Sequence, residues 1–302
     1  MGLELSTIKQ FENLELLARE MVEGFITGLH RSPYHGFSVE FAEHKLYNYG
    51  ESTKNIDWKV FARTDRLYTK QYEEETNLRC TLLIDSSASM YYPRPGLEKL
   101  RFSVYAAAAL SFLLVKQRDA VGLISFDDKI RIQTQQKSTR LHLNQLLGEL
   151  HTMLTAPKPK APRSSIAENI HLIADKIHKR SLVIIFSDMF QQGQNLEGIF
   201  EALQHLKHNR HEILLFHVSD HETERRFDFK DQPYRFVDAE TGESLTVMPA
   251  AVKKDYQKTM ETYYRQIMLG CGKLKIDFIQ VDTRDSFDKV LGAYLIKRKK
   301  MK

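Results

Sequence analysis

Apolar positions in this chain follow two different periods, and the change between them divides it. Near the start, Phe11, Leu14, Leu17, Met21, Phe25 and Leu29 recur every three or four residues, one face of a helix. Thr7–Gln10 reads as its capping box and Ser32-Pro33 as its stop. From Phe37 to Thr76 the period shortens. Residues 37–41 and 67–72 alternate as short strands do, around a turn-rich stretch that carries Trp58. After Asn77, solid apolar runs alternate with helical patterns. Strands are predicted at 79–84, 121–126, 129–133, 182–186, 213–218 and 276–281. Helices are predicted at 97–116, 141–154, 166–178, 196–206, 252–269 and 287–296, the last capped by Ser286. Strands that are apolar throughout and alternate with helices imply an α/β fold, a mostly parallel sheet with helices on both faces. Residues 220–249 interrupt the alternation and read as a hairpin insertion. The predicted division is therefore 1–76, a helix and a small β extension, and 77–302, the α/β domain.

Composition changes this picture little. Of 302 residues, 42% are hydrophobic and 27% charged, enough apolar material for a sizeable core. The net charge of +5 is too mild to argue for nucleic acid, and the closing run Lys297–Lys302 reads as a solvated tail. Cys80 and Cys271 have no spacing that makes a disulfide framework or a zinc site, which fits a reducing cytoplasm. The start of the chain does not read as a secretion signal, and the run 104–115 falls short of the roughly twenty residues of a membrane span.

The candidate chemistry lies where the first apolar strand ends, in Asp85-Ser86-Ser87-Ala88-Ser89. Asp85, Ser87 and Ser89 are two residues apart, and a loop leaving a strand can turn all three oxygens to one point. Carboxylate and hydroxyl oxygens suit a hard cation such as Mg2+. An open α/β sheet binds its ligand at this rim. Asp188 follows another apolar strand, and two carboxylates balance a divalent ion. Ser164 or Ser165, after the proline-rich stretch 156–162, stands ready to add a further hydroxyl. The neutral serines would leave the ion able to take an anionic oxygen from outside. The plainer reading is that Ser87 and Ser89 only cap a turn.

A DxSxS loop with a distant strand-end aspartate resembles the metal-ion-dependent adhesion site of von Willebrand factor A domains. Residues 30–41, 56–65, 73–77 and 234–238, with Tyr294-Leu295 in the closing helix, resemble the bacterial family known as domain of unknown function fifty-eight. The resemblance spans nearly the whole chain. It implies a von Willebrand factor A-like fold, a Mg2+ or Mn2+ site at Asp85, Ser87, Ser89, Ser164 and Asp188, and a MoxR-type AAA+ ATPase as partner. Ser164 or Ser165 stands where the pattern has threonine, in a loop that lacks the usual glycines. The expected function is metal-dependent capture of a protein that offers an acidic side chain, not catalysis.

Two other classes compete. A Mg2+-dependent phosphohydrolase would use Asp85 as nucleophile, but such enzymes place a second aspartate where Ser87 stands, and no lysine is evident beside the loop. A nucleotide-binding fold lacks both GxGxxG and GxxxxGK[ST]. Trp58 and Ile56 read as a packing anchor, Lys59–Lys70 with Glu73–Glu75 as a salt-bridged or solvated face, Asp127-Asp128 as a hairpin turn and His217 as a packed histidine.

Overall fold

The computed structural model describes residues 13–31, 44–46, 61–63, 67–70, 78–93, 98–156, 166–190, 196–238 and 241–301. The chain divides into two compact units, Met1–Phe25 with Leu78–Lys302, and Ile26–Asn77.

In the smaller unit, β1 (His44–Leu46) and β2 (Tyr68–Lys70) pair antiparallel, with Leu46 opposite Tyr68. The alternation at 67–72 pointed to the second of these strands. The predicted strand at 37–41, the capping box, Trp58 with Ile56 and most of the charged run after it lie outside the described residues. Helix α1 (Leu14–Arg31), which up to Phe25 belongs to the larger unit, buries Leu14, Leu17, Ala18, Met21, Val22 and Phe25, the stripe its spacing dictates.

In the larger unit, six strands form one sheet. They are β3 (Arg79–Asp85), β4 (Ala120–Phe126), β5 (Ile130–Gln133), β6 (Leu182–Ser187), β7 (Glu212–Ser219) and β10 (Asp277–Asp282), in the order β10-β7-β6-β3-β4-β5. Every pairing is parallel except β4 with β5. Helices cover both faces: α2 (Glu98–Lys116), α3 (Arg140–Thr155), α4 (Ile166–Lys176), α5 (Leu196–His208), α6 (Pro249–Lys273) and α7 (Asp288–Met301). Leu83, Val183, Ile185, Ile213 and Leu215 share one core cluster with residues of α4, α5 and α6. The alternate positions Leu82, Ile84, Ile184, Phe186, Leu214 and Phe216 are as fully buried on the opposite face, the side of α2 and α7. A strand buried on both faces cannot alternate, which is why these segments read as unbroken apolar runs. The hairpin insertion is β8 (Tyr234–Val237) paired with β9 (Ser244–Val247).

Two expectations fail. Helix α6 starts three residues before the predicted position because Pro249 suits the first helical turn, where no N–H is needed. The basic terminus is a solvated tail only in part, at the exposed Lys299 and Lys300. Helix α7 runs through it, and Lys297, 7% exposed, bridges Glu212 Oε2 and Asp277 Oδ2 at 2.7 Å each, while Arg298 pairs with Asp119. No helix among the described residues is long and apolar enough to cross a membrane.

Candidate metal site

The sheet order reverses between β3 and β6: β3 is followed by its neighbour β4 on one side, whereas β6 and β7 lie on the other. The carboxyl ends of two such strands leave a crevice between diverging loops. Register then decides what meets there. Ile84 pairs with Phe186, so Asp85 and Ser187 emerge side by side. The Ser187 hydroxyl donates to Asp85 Oδ2 at 2.6 Å, and the Ser87 N–H donates to Oδ1 at 2.9 Å. Ser86 anchors the loop by donating both its N–H and its hydroxyl to the Phe126 carbonyl of β4. A short 3-10 turn, Ala88–Tyr91, follows, and Ser87 and Ser89 bring their hydroxyls within 3.0 Å of each other.

Asp188 completes the rim. Its Oδ1 accepts from the Phe190 N–H at 3.1 Å, and the nearby Ser89 hydroxyl favours its charged form. Met189 holds a left-handed backbone, φ 51°, with its side chain buried; its N–H donates to Ser187 Oγ and its carbonyl accepts the Tyr263 hydroxyl at 2.5 Å. Phe190, which stacks edge-on to Tyr263, is 45% exposed beside the site.

Sequence reasoning missed the group that dominates the local electrostatics. Lys99, in the first turn of α2 and 1% exposed, places its ammonium 2.8 Å from Asp188 Oδ2 and 2.6 Å from Glu224 Oε1. The expectation that no lysine stands beside the loop is therefore wrong. The signal was available: Lys99 lies on the stripe of Phe102, Ser103 and Ala106, a charge where helical spacing calls for a buried residue. Glu224 belongs to a π-helical turn, His221–Arg225, and gave no signal.

Burial pushes the Asp85 carboxyl up to about 6, and the negative charge of Asp188 adds to the push; the hydrogen bonds from Ser187 and Ser87 only moderate it. Burial alone would raise Asp188 too, but the Lys99 ammonium outweighs it and holds that carboxyl below its ordinary range. Glu224 is pushed up by burial, against the pull of Lys99. Lys99 itself is held charged, because its two carboxylates overcome the cost of burying it. His217, beside Ser187 in the register, is packed as expected. It sits edge-on to Tyr264 with neither ring nitrogen hydrogen-bonded, and burial lowers it to about 4, so it stays neutral.

The structure thus brings Asp85, Ser87, Ser89 and Asp188 together, and Ser164 and Ser165 lie outside the described residues. No group of three or more His, Cys, Asp or Glu side chains that could hold a metal occurs among the described residues. The fit to a hard cation rests instead on hydroxyl oxygens and charge. Adjacent corners of an octahedron with metal–oxygen distances of about 2.0–2.1 Å are about 2.9 Å apart. The Ser87 and Ser89 hydroxyls, 3.0 Å apart, match that edge. The connected set of three carboxylates, Asp85, Asp188 and Glu224, and one ammonium, Lys99, carries two excess negative charges when all are ionised, which a divalent ion would cancel. Asp85 and Ser87 are buried and Ser89 is half-buried.

In class, this is a mixed α/β protein with a mostly parallel central sheet and a buried polar site at its switch point. The chain belongs to the family described as protein of unknown function DUF58, whose model matches residues 43–265. It is 26% identical over 264 residues to the uncharacterized proteins Mb1516 of Mycobacterium bovis and Rv1480 of Mycobacterium tuberculosis, covering 86% of this chain and 80% of each relative. Among solved structures it is similar to the conserved hypothetical protein BatB from Bacteroides thetaiotaomicron, at 15% identity and TM-score 0.43, over 74% of this chain and 100% of that one. It is also similar to the pilus adhesin SpaC from Lactobacillus rhamnosus GG, at 10% identity and TM-score 0.40, over 74% of this chain and 30% of that one.

Proposed function

We propose that this protein is a metal-dependent binding module of von Willebrand factor A type. In this reading it holds Mg2+ or Mn2+ with Asp85, Ser87, Ser89 and Asp188, joined by a hydroxyl from Ser164 or Ser165, and takes a carboxylate from a partner protein as its last ligand. The observation that carries the reading is the convergence of Asp85, Asp188 and the hydrogen-bonded Ser87 and Ser89 hydroxyls at one rim of the sheet, in a set with two excess negative charges when its carboxylates are ionised. The bound ion would supply an electrophilic centre for the incoming carboxylate. The chain's own residues orient that centre: Ser187 and the Ser87 N–H fix the Asp85 carboxyl, and Phe190 presents an apolar surface beside it. A MoxR-type AAA+ ATPase, which the family resemblance implies, is the first partner to try.

The test is calorimetric titration of Mn2+ and Mg2+ into the full chain, followed by partner capture with and without EDTA. Ala at Asp85 and Ser87 together should abolish ion binding and capture while the chain stays folded. Capture that survives EDTA unchanged would defeat the proposal.

A phosphohydrolase that uses Asp85 as nucleophile is less well supported. Lys99 supplies the missing lysine, yet its ammonium is already held between two carboxylates, and Asp85 is fully buried with both oxygens accepting hydrogen bonds. Mg2+-dependent turnover of an aryl phosphate, lost in Asp85→Asn, would reverse this preference.

A further inference from the structure

We propose that Lys99 is a built-in counter-cation that sets the affinity of the site for a divalent ion and ties its occupancy to the turn His221–Arg225. The inference rests on the cation-site reading above and assigns control of that site to residues outside its ligand set.

The geometry makes Lys99 a shared charge. Its ammonium lies between Asp188 on the rim and Glu224 on the turn, at 2.8 Å and 2.6 Å, with the Tyr92 ring 5.7 Å away. An ammonium this well buried cannot turn to water, so it can only be divided between its two carboxylates. A divalent ion drawn to Asp188 repels the ammonium, and the repulsion is strong where water is excluded. The lysine then leans on Glu224.

Glu224 is the clasp of its turn. Its Oε2 accepts from the Asp220 N–H at 2.8 Å, and its backbone carbonyl accepts from the Tyr256 hydroxyl of α6 at 3.0 Å. A change in the Lys99 position is therefore felt by residues 220–226 and by α6, which also contacts the rim through Tyr263. Glu224 in turn holds the ammonium away from Asp188 and so keeps that carboxylate available.

This predicts opposite effects from the two halves of the pair. Lys99→Met removes the competing charge and should bind Mn2+ on the order of tenfold more tightly, or better, than the parent chain. Glu224→Gln leaves the ammonium on Asp188 alone and should bind Mn2+ on the order of tenfold more weakly. Both are read by calorimetry with MnCl2 on the full chain at fixed pH and salt, with circular dichroism to confirm folding. In parallel, Mn2+ should change amide hydrogen exchange across residues 220–226 in the parent chain, and Glu224→Gln should abolish that change. If Lys99→Met does not fold, the Glu224→Gln titration and the exchange measurement decide alone.

The outcomes separate this inference from the reading beneath it. Equal Mn2+ affinity in all folded chains, with no change in exchange at 220–226, would leave the cation site standing and overturn the role of Lys99. Binding by Lys99→Met but not by the parent would support the role of Lys99 and remove the cation from the native chain. Binding by none would overturn both.

Discussion

Two lysines in this molecule do the same thing at opposite ends of one sheet. Lys99 spans Asp188 and Glu224 beyond the carboxyl ends of β6 and β7; Lys297 spans Glu212 and Asp277 at the amino ends of β7 and β10. Both are buried helix residues and both bridge two carboxylates. The surroundings differ. At the amino end Lys207 also reaches Glu212, so two lysines meet two carboxylates and the cluster is neutral. Its carboxylates are 41% and 38% exposed. At the carboxyl end one lysine meets Asp188, Glu224 and, through Asp188, the buried Asp85. A structural ion pair is complete in itself. A site is recognised by the charge it leaves uncancelled.

The comparison is broken most directly at Lys99. Lys99→Met leaves two poorly solvated carboxylates unpaired and should cost roughly 3–5 kcal/mol in urea unfolding without metal. A loss below about 1 kcal/mol would put the two lysines on the same footing. Next comes Asp85→Asn, with the opposite sign. The folded chain holds the Asp85 proton more tightly than the unfolded one, about 6 against 3.8. The stability this proton contributes is complete below about pH 4 and is lost as pH rises through 6. Ionised Asp85 therefore weakens the metal-free fold at pH 7.5, on the order of 3 kcal/mol. Asp85→Asn should raise the melting temperature in EDTA at pH 7.5, and the gain should shrink towards pH 4.

Ser187→Ala takes a donor from Asp85 and an acceptor from the Met189 N–H, and should cost about 1–3 kcal/mol by denaturant titration. Lys297→Met keeps the aliphatic packing and frees two carboxylates that water already reaches. It should cost no more than about 1 kcal/mol in the same assay, and less at high salt.

How far the sequence discloses this arrangement depends on the kind of information each part needs. The central strands are legible because burial on both faces leaves only apolar residues, as in Leu182–Phe186. Asp85, Ser87, Ser89 and Asp188 are legible because strand ends are where such folds place ligands. Ser187 stands directly before Asp188, yet its bond to Asp85 depends on the pairing of Ile84 with Phe186, and register between distant strands is not written locally. Glu224 requires knowing how the segment after β7 folds back. Lys297 and Arg298 look like a solvated tail because their partners, Glu212, Asp277 and Asp119, lie far away in the chain.

Met189 answers two conflicting demands. Its backbone angle suits glycine or asparagine, whereas its enclosed slot suits an apolar side chain of methionine's bulk. Neither class of substitute satisfies both. In a saturation library at this codon, leucine should survive best, β-branched residues should vanish, and glycine should trade backbone ease for an empty slot. The loop carrying Asp188 is thus a narrow place for drift, guarded by a side chain with no part in the chemistry.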